Sequence, residues 1–292
     1  MSLLVKNVNK SFGTKKVVDN LSFELNKPGV FGLLGTNGAG KTTSIRMILG
    51  IIKKDSGEIS FNGKSVTRKN VNFGYLPEER GLYPKSKIYD QLMYFANLKG
   101  MSKVDGDKAI RYWLDKLKVS EYINYTAEKL SKGNQQKIQF ITAVLHNPDL
   151  IVLDEPFSGL DPVNTEILSN VMKELISEGK YIIMSSHQMN SVEEFCTDLI
   201  ILNRGKTVLK GNLKDIKSSY NSSKVLVETD DNIDLIIKKL KLNILSSNDG
   251  VYIIENSNKD LLKELCDNNI NVSKYEIVKP SLHEIFIEKV GE

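Results

Sequence analysis

VFGLLGTNGAGKTTSIRMILG, Val30 to Gly50, is the stretch on which the reading of this chain turns. Val30 to Leu34 is a short apolar run of strand type, and Ser44 to Gly50 opens a helix. Between them lies GTNGAGKTT, Gly35 to Thr43, the glycine-rich turn of a phosphate-binding loop in the strand-to-helix context that such a loop requires. Glycines at 35, 38 and 40 permit backbone torsions and close approaches that a Cβ would block. Successive N–H groups along Gly35, Thr36, Asn37, Gly38, Ala39 and Gly40 can then face phosphate oxygens. The dipole of the helix that follows favours an anion at the same place. Lys41 supplies a point charge to the β- and γ-phosphates, Thr42 a hydroxyl ligand for Mg²⁺, and Thr43 a further phosphate donor.

The rest of the chain supplies an α/β frame for that loop. LLVKNVNKSF, VVDNLSFEL, GVFGLLG and EISFNG read as strands within the first sixty or so residues. From Lys87 to His146 apolar residues recur at spacings of three and four, as in Ile88, Leu92, Phe95 and Leu98, which predicts a mostly helical stretch. LIVLDEP, YIIMSSH and LIILN are continuous apolar runs suited to parallel strands buried on both faces, and TEILSNVMKELISEG between the first two reads as a helix. The expected fold is α/β, a phosphate-loop core with a mixed or parallel sheet, a helical subdomain at about 83–147 and a small α+β domain after it.

Charge marks the boundary between the two domains. The chain has 292 residues with 40 Lys plus Arg against 36 Asp plus Glu. Residues 221–292 hold 9 Lys, no Arg and 13 acidic residues, a net of −4, which leaves +8 for the residues before them. KSSYNSSK, Lys217 to Lys224, is polar, serine-rich and without apolar periodicity, as expected of a linker. Domains are therefore expected at 1–217 and 221–292. Within the second, KVLVETD, NIDLIIKKL, NILSSNDGVYIIE, NKDLLKELCDNN, NVSKYEIVKP and SLHEIFIEKV predict a β-α-β-β-α-β-α order. That order has a hairpin turn near Asp249 and Gly250, and a capping box of Ser281 with Glu284.

Composition excludes several classes. A net charge of +4, with no basic blocks, gives no reason to expect nucleic acid. Two cysteines, Cys196 and Cys266, are too few for a disulfide-stapled secreted domain and suit free thiols in a reducing compartment. The start of the chain has no secretory signal pattern, and no uncharged run approaches the ~18 to 20 apolar residues of a membrane helix.

Asp154, at the carboxyl end of LIVLD, is placed where ligands gather in open α/β sheets, and suits Mg²⁺. Glu155 follows as a candidate general base for an attacking water. Read without the phosphate loop, the pair serves equally as helix-capping carboxylates before Pro156.

The phosphate loop, LSKGN (Leu130–Asn134), LDEP, SGLD (Ser158–Asp161) and His187 in MSSH stand in the order and spacing of an ABC-transporter nucleotide-binding domain, which about the first 215 residues resemble throughout. The resemblance implies ATP as substrate with Mg²⁺. It implies Lys41, Glu155 and His187 in catalysis, Thr42 and Asp154 as metal ligands, and Phe12, 29 residues before Lys41, stacking on adenine, although a lone Phe is otherwise a core residue. It also implies Ser131 and Gly133 reaching the γ-phosphate of a second subunit, and Asp161 communicating across the interface of a head-to-tail homodimer. His146 and His283 match no family element and are assigned no catalytic role.

Two departures from the family pattern stand out. Lys132 and Asn134 replace the Gly and Gln of the common LSGGQ, while Ser131 and Gly133 remain. In GYLPEERGLYP, Glu78 occupies the place of a Gln that contacts Mg²⁺, so Glu78 is either an additional oxygen ligand or a solvated loop carboxylate. The LPEE loop, SKGNQQK and the closing PSLHEIFIEKVG resemble the branch of ATPases paired with separate exporter-type permeases in sodium, multidrug and antimicrobial-peptide extrusion. The expectation is an ATP-hydrolysing subunit on the cytoplasmic face of the membrane, bound to a polytopic transmembrane partner. An importer ATPase or a soluble regulatory ABC ATPase is the alternative.

Overall fold

The computed structural model describes residues 2–67, 69–79, 81–220, 224–255 and 260–291. In chain order, strands β1 (Leu3–Phe12), β2 (Lys15–Leu25) and β3 (Gly29–Gly35) lead into helix α1 (Lys41–Ile48). Strands β4 (Ser56–Phe61), β5 (Lys64–Ser65) and β6 (Phe73–Leu76) precede helices α2 (Ile88–Leu98), α3 (Lys103–Lys116) and α4 (Lys132–Val144). Then come β7 (Leu150–Asp154), α5 (Pro162–Ser177), β8 (Tyr181–Ser185), α6 (Met189–Phe195), β9 (Cys196–Asn203), β10 (Lys206–Asn212) and α7 (Leu213–Ser219). The remainder is β11 (Lys224–Thr229), α8 (Asp234–Leu240), β12 (Asn243–Asn248), β13 (Val251–Glu255), α9 (Leu261–Asp267), β14 (Val272–Val278) and α10 (Leu282–Gly291).

Two compact units divide the chain, Met1–Leu213 with Lys289–Glu292, and Lys214–Glu288. The first holds two sheets. An antiparallel one runs in the order β2-β1-β4-β5, and a six-stranded one in the order β10-β9-β3-β8-β7-β6. In the larger sheet β9, β3, β8, β7 and β6 are parallel, and only β10 pairs antiparallel, at the edge. Every residue of β3, β7 and β8 is buried, which is why these segments read as unbroken apolar runs rather than alternating ones. Leu3, Val5 and Phe23 of the antiparallel sheet pack with Leu33, Val152 and Ile183 of the parallel one in a single core. There the Phe23 and Phe31 rings stack with centroids 4.3 Å apart.

The second unit carries the antiparallel sheet β12-β13-β11-β14. Val225, Val227 and Ile254 from the sheet share a core with Ile236 and Ile237 of α8 and Leu261 and Leu265 of α9. Asp249 and Gly250 turn β12 into β13 with φ of 44° and 78°, the paired positive torsions of a tight hairpin turn. At α10 the capping box is present: Glu284 N–H donates to Ser281 Oγ at 3.2 Å, and Ser281 N–H to Glu284 Oε2 at 2.8 Å.

The linker expectation needs correction. Lys217, Ser218 and Ser219 form the last turn of α7 rather than an irregular connection, and the Asn221–Ser223 part of the stretch lies outside the described residues. Ile216 on α7 is 6% exposed, so an apolar anchor one residue before the serine-rich stretch accompanies this helix. β6 and β10 were not among the strands expected from the sequence.

Candidate functional site

Adjacent strands deliver the candidate residues to one edge of the parallel sheet. β8 lies between β3 and β7, with Leu33 opposite Ser185 and Ser185 opposite Asp154. The chain therefore leaves the three strands side by side into the phosphate loop, Glu155, and Ser186 with His187. This is the carboxyl edge, where the open ends of a parallel sheet leave room for ligands.

The loop's shape depends on its glycines. A Cβ on Gly35 (φ +152°) would stand 2.5 Å from the Leu202 carbonyl oxygen, and one on Gly40 (φ +104°) 2.6 Å from that of Val17. Neither position has room for a side chain, and both torsions belong to glycine. Gly40 is also the N-cap of α1, so the cap residue has no side chain with which to satisfy the first-turn N–H groups of that helix. Lys41 folds back over the turn, its Nζ donating to Gly35 O at 2.8 Å and Thr36 O at 3.2 Å. Thr36, Asn37 and Gly38 are exposed, Ala39 is buried, and Thr42 and Thr43 are half-buried.

Thr42 and Asp154 meet. Thr42 Oγ1 donates to Asp154 Oδ2 at 3.3 Å, and Ser185 Oγ donates to Asp154 Oδ1. Asp154 is 1% exposed, so its carboxylate is desolvated and oriented by two hydroxyls. Glu155 is 6% exposed and has a left-handed backbone (φ +53°), a torsion that a residue other than Gly or Asn adopts only where its surroundings hold it. Its N–H donates to Ser185 O at 3.1 Å. Its Oε1 lies 2.9 Å from His187 Nδ1, and Ser186 Oγ donates to its Oε2 at 3.4 Å. The His187 side chain is 65% exposed, so the pair joins a buried carboxylate to an imidazole at the surface.

Ser131 and Gly133 stand elsewhere. Ser131 is the N-cap of α4 and accepts from Asn134 N–H at 3.2 Å. Gly133 faces Leu160 and Asn164 of the same chain. Among the described residues no hydrogen bond joins either of them to the phosphate loop. Asp161 caps α5: Asn164 N–H donates to its Oδ1 at 2.8 Å and Asn164 Nδ2 to its Oδ2 at 2.7 Å. Those bonds hold its carboxyl below the usual carboxylate range. Glu78 is exposed. Phe12 is 51% exposed at the turn between β1 and β2, with Lys10 Nζ 5.3 Å from its ring centroid, so it is not a core residue.

Sequence reasoning missed the glutamines of α4. Gln135 Nε2 donates to the Ala127 and Leu130 carbonyls at 3.0 Å each. Gln136 Nε2 donates to Glu155 O at 3.3 Å and Pro156 O at 3.1 Å, and Gln139 Nε2 to Pro77 O at 3.1 Å and Glu79 O at 2.9 Å. Three glutamines within five residues of a mostly buried helix were the available signal.

Residues 18–158 match the family described as ABC transporter, and residues 211–290 the one described as ATP-binding protein DrrA1-3-like, C-terminal domain. YhaQ of Bacillus subtilis (strain 168), described as an uncharacterized ABC transporter ATP-binding protein, is 48% identical, spanning 99% of this chain and 98% of that one. The linearmycin resistance ATP-binding protein LnrL of the same organism is 28% identical, over 99% of this chain and 98% of its own. A solved ATP-binding subunit of an ABC transporter superposes with a TM-score of 0.69 at 30% identity, covering 75% of this chain and 93% of that one. A phosphate loop, a buried Asp-Glu pair at the same edge of the sheet and these likenesses lead to one conclusion: the chain belongs to the ATP-binding proteins of ABC transporters.

Proposed function

We propose that the chain hydrolyses ATP as a head-to-tail homodimer on the cytoplasmic face of the membrane and drives export through a separate polytopic permease. The observation that carries the reading is the buried Glu155 carboxylate, 2.9 Å from His187 at the strand end beside the phosphate loop. Lys41 and the loop N–H groups bind the phosphates, and Phe12 offers an exposed ring for adenine. Thr42 and Asp154 form an all-oxygen donor pair of the kind that suits Mg²⁺, with the exposed Glu78 as a further oxygen ligand. When bound, Mg²⁺ neutralises charge on the β- and γ-phosphate oxygens. Glu155 takes the proton of the attacking water, whose oxygen bonds to the γ-phosphorus as the bond to ADP breaks, and His187 orients Glu155.

Ser131 and Gly133, joined to their own phosphate loop by no hydrogen bond among the described residues, serve the partner's nucleotide. Bridging contacts to ATP exist only in the closed dimer, so binding shifts the population to closure and hydrolysis releases it. Among the described residues no helix is long and apolar enough to cross a membrane, which is why the transport path is assigned to another chain. An open groove of about 630 Å³, lined by Ile51, Phe73, Tyr75, Phe95, Leu98 and Lys99 among others, is the surface we assign to that partner. The linearmycin resistance role of the relative LnrL supports export.

Glu155→Gln is expected to retain ATP binding and lose hydrolysis by ~10² to 10⁴-fold, and Lys41→Ala to lose binding. Wild-type turnover in Glu155→Gln rejects the general-base assignment. Pulldown of Glu155→Gln with ATP from detergent-solubilised membranes is expected to recover a polytopic protein without its own ATPase domain. Recovery of ribosomes, nucleic acid or soluble proteins alone rejects the transport reading.

A further inference from the structure

Helix α4 touches three parts of the proposed cycle. Its N-terminus carries Ser131 and Gly133, and its amides reach two loops of its own site. Gln136 faces the carbonyls of Glu155 and Pro156, and Gln139 those of Pro77 and Glu79, on either side of Glu78. All four acceptors are carbonyls, so each amide must present its NH₂ group to them. Gln139 is 2% exposed and its Oε1 finds no hydrogen-bond donor among the described residues. A buried amide with half its capacity unmet is costly, and what it supplies is the pair of bonds to the loop. Gln136 meets a particular need at Glu155. The left-handed backbone there is held at its N–H by Ser185 and at its carbonyl by Gln136. Positions 136 and 139 are three residues apart, neighbours on the helix surface, and within a 13-residue helix they move with its N-terminus.

We propose that Gln136 and Gln139 are positioning residues that make α4 a rigid link between the two ATP sites of the dimer. The link rests on the proposed function, in which the N-terminus of α4 meets the γ-phosphate held by the partner subunit. A phosphate seated there fixes α4. The helix in turn fixes the backbone that carries Glu155 and the loop that carries Glu78 in its own site. Each site then reaches full turnover only when the opposite one is loaded, and hydrolysis is cooperative in ATP.

The experiment is steady-state hydrolysis by the full chain across ATP concentration, with fluorescent-nucleotide affinity and a thermal melt for each variant. Wild type is expected to show a Hill coefficient above one. Gln136→Met is expected to lower kcat by about tenfold or more, leave KM and nucleotide affinity within about twofold, and bring the Hill coefficient to one. Gln139→Met is expected to lower the Hill coefficient with a smaller loss of kcat, and it carries the test if Gln136→Met does not fold. Gln136→Glu keeps the size but turns an acceptor toward two carbonyls, and is expected to fall below Gln136→Met. Non-cooperative wild-type hydrolysis, or folded Gln variants with wild-type kcat and Hill coefficient, overturns the link while leaving the ATPase reading intact. Wild type hydrolysing no faster than Glu155→Gln overturns the reading beneath it.

Discussion

A methyl group at Gly40 has nowhere to go, and the torsion there is one that costs an L-residue roughly 1 to 2 kcal/mol before any clash is counted. Gly40→Ala is therefore expected to shift the denaturation midpoint of the first unit and to weaken nucleotide binding together, since the same displacement moves α1 away from the phosphates. Equal binding by Gly40→Ala and wild type, measured by titration, contradicts that coupling. His146 ties stability to pH. Burial, and then the Lys99 ammonium, push its imidazole down to about 4, against a hydrogen bond to Phe73 O at 3.0 Å. The folded state thus binds its proton less readily than the unfolded chain does. The contribution of the neutral ring is complete above pH ~6.5 and is lost as pH falls toward 4. His146→Gln keeps a donor for Phe73 O and is expected to flatten the stability-against-pH curve between those values, as measured by urea unfolding.

Helix ends separate stability from turnover. Asp161→Ala removes both bonds from Asn164 and is expected to destabilise α5 by about 1 kcal/mol. Asp161→Asn retains the Oδ1 acceptor and is expected to restore most of that stability. On the proposed function, any remaining loss of hydrolysis in Asp161→Asn then reports on the dimer interface rather than on the cap. Elements whose pattern arises within the segment were readable from the sequence. β7 and β8 are apolar throughout, the Ser281 and Glu284 box is local, and the phosphate loop lies between its own strand and helix. β6 and β10 were not readable. β6 has four residues, and β10, at the edge of the sheet, shows no alternation of burial and holds its place through pairing with β9. Gln136 and Gln139 were invisible for a related reason: their acceptors are backbone carbonyls of loops far away in the chain, which no side-chain motif encodes. The left-handed turn at Glu155 was hidden likewise, because nothing in Asp-Glu-Pro announces a positive φ.

With two compact units, the second built round a core of its own, the molecule is expected to melt in two steps by calorimetry. Acid should separate the steps. The first unit weakens from pH 6.5 downward through His146. The second holds until lower pH, because Lys224, and then the Ser281 N–H, keep the Glu284 carboxyl down to about 2. Its folded pKa lies below the ordinary value, so that stabilisation is present above about 4.5 and is lost as pH falls toward 2. ATP at a hundred times its dissociation constant should add about 2.7 kcal/mol to the first step and leave the second in place. A single transition under all these conditions contradicts two independent units. The Glu155 turn sets one term of this stability against turnover. Asn fits a left-handed backbone better than Glu does, and a difference of order 1 kcal/mol is a sizeable part of what keeps a domain folded. A library of this chain screened only for survival of heating should therefore drift toward Asn at position 155, enriching proteins that persist longer and, on the proposed function, no longer consume ATP.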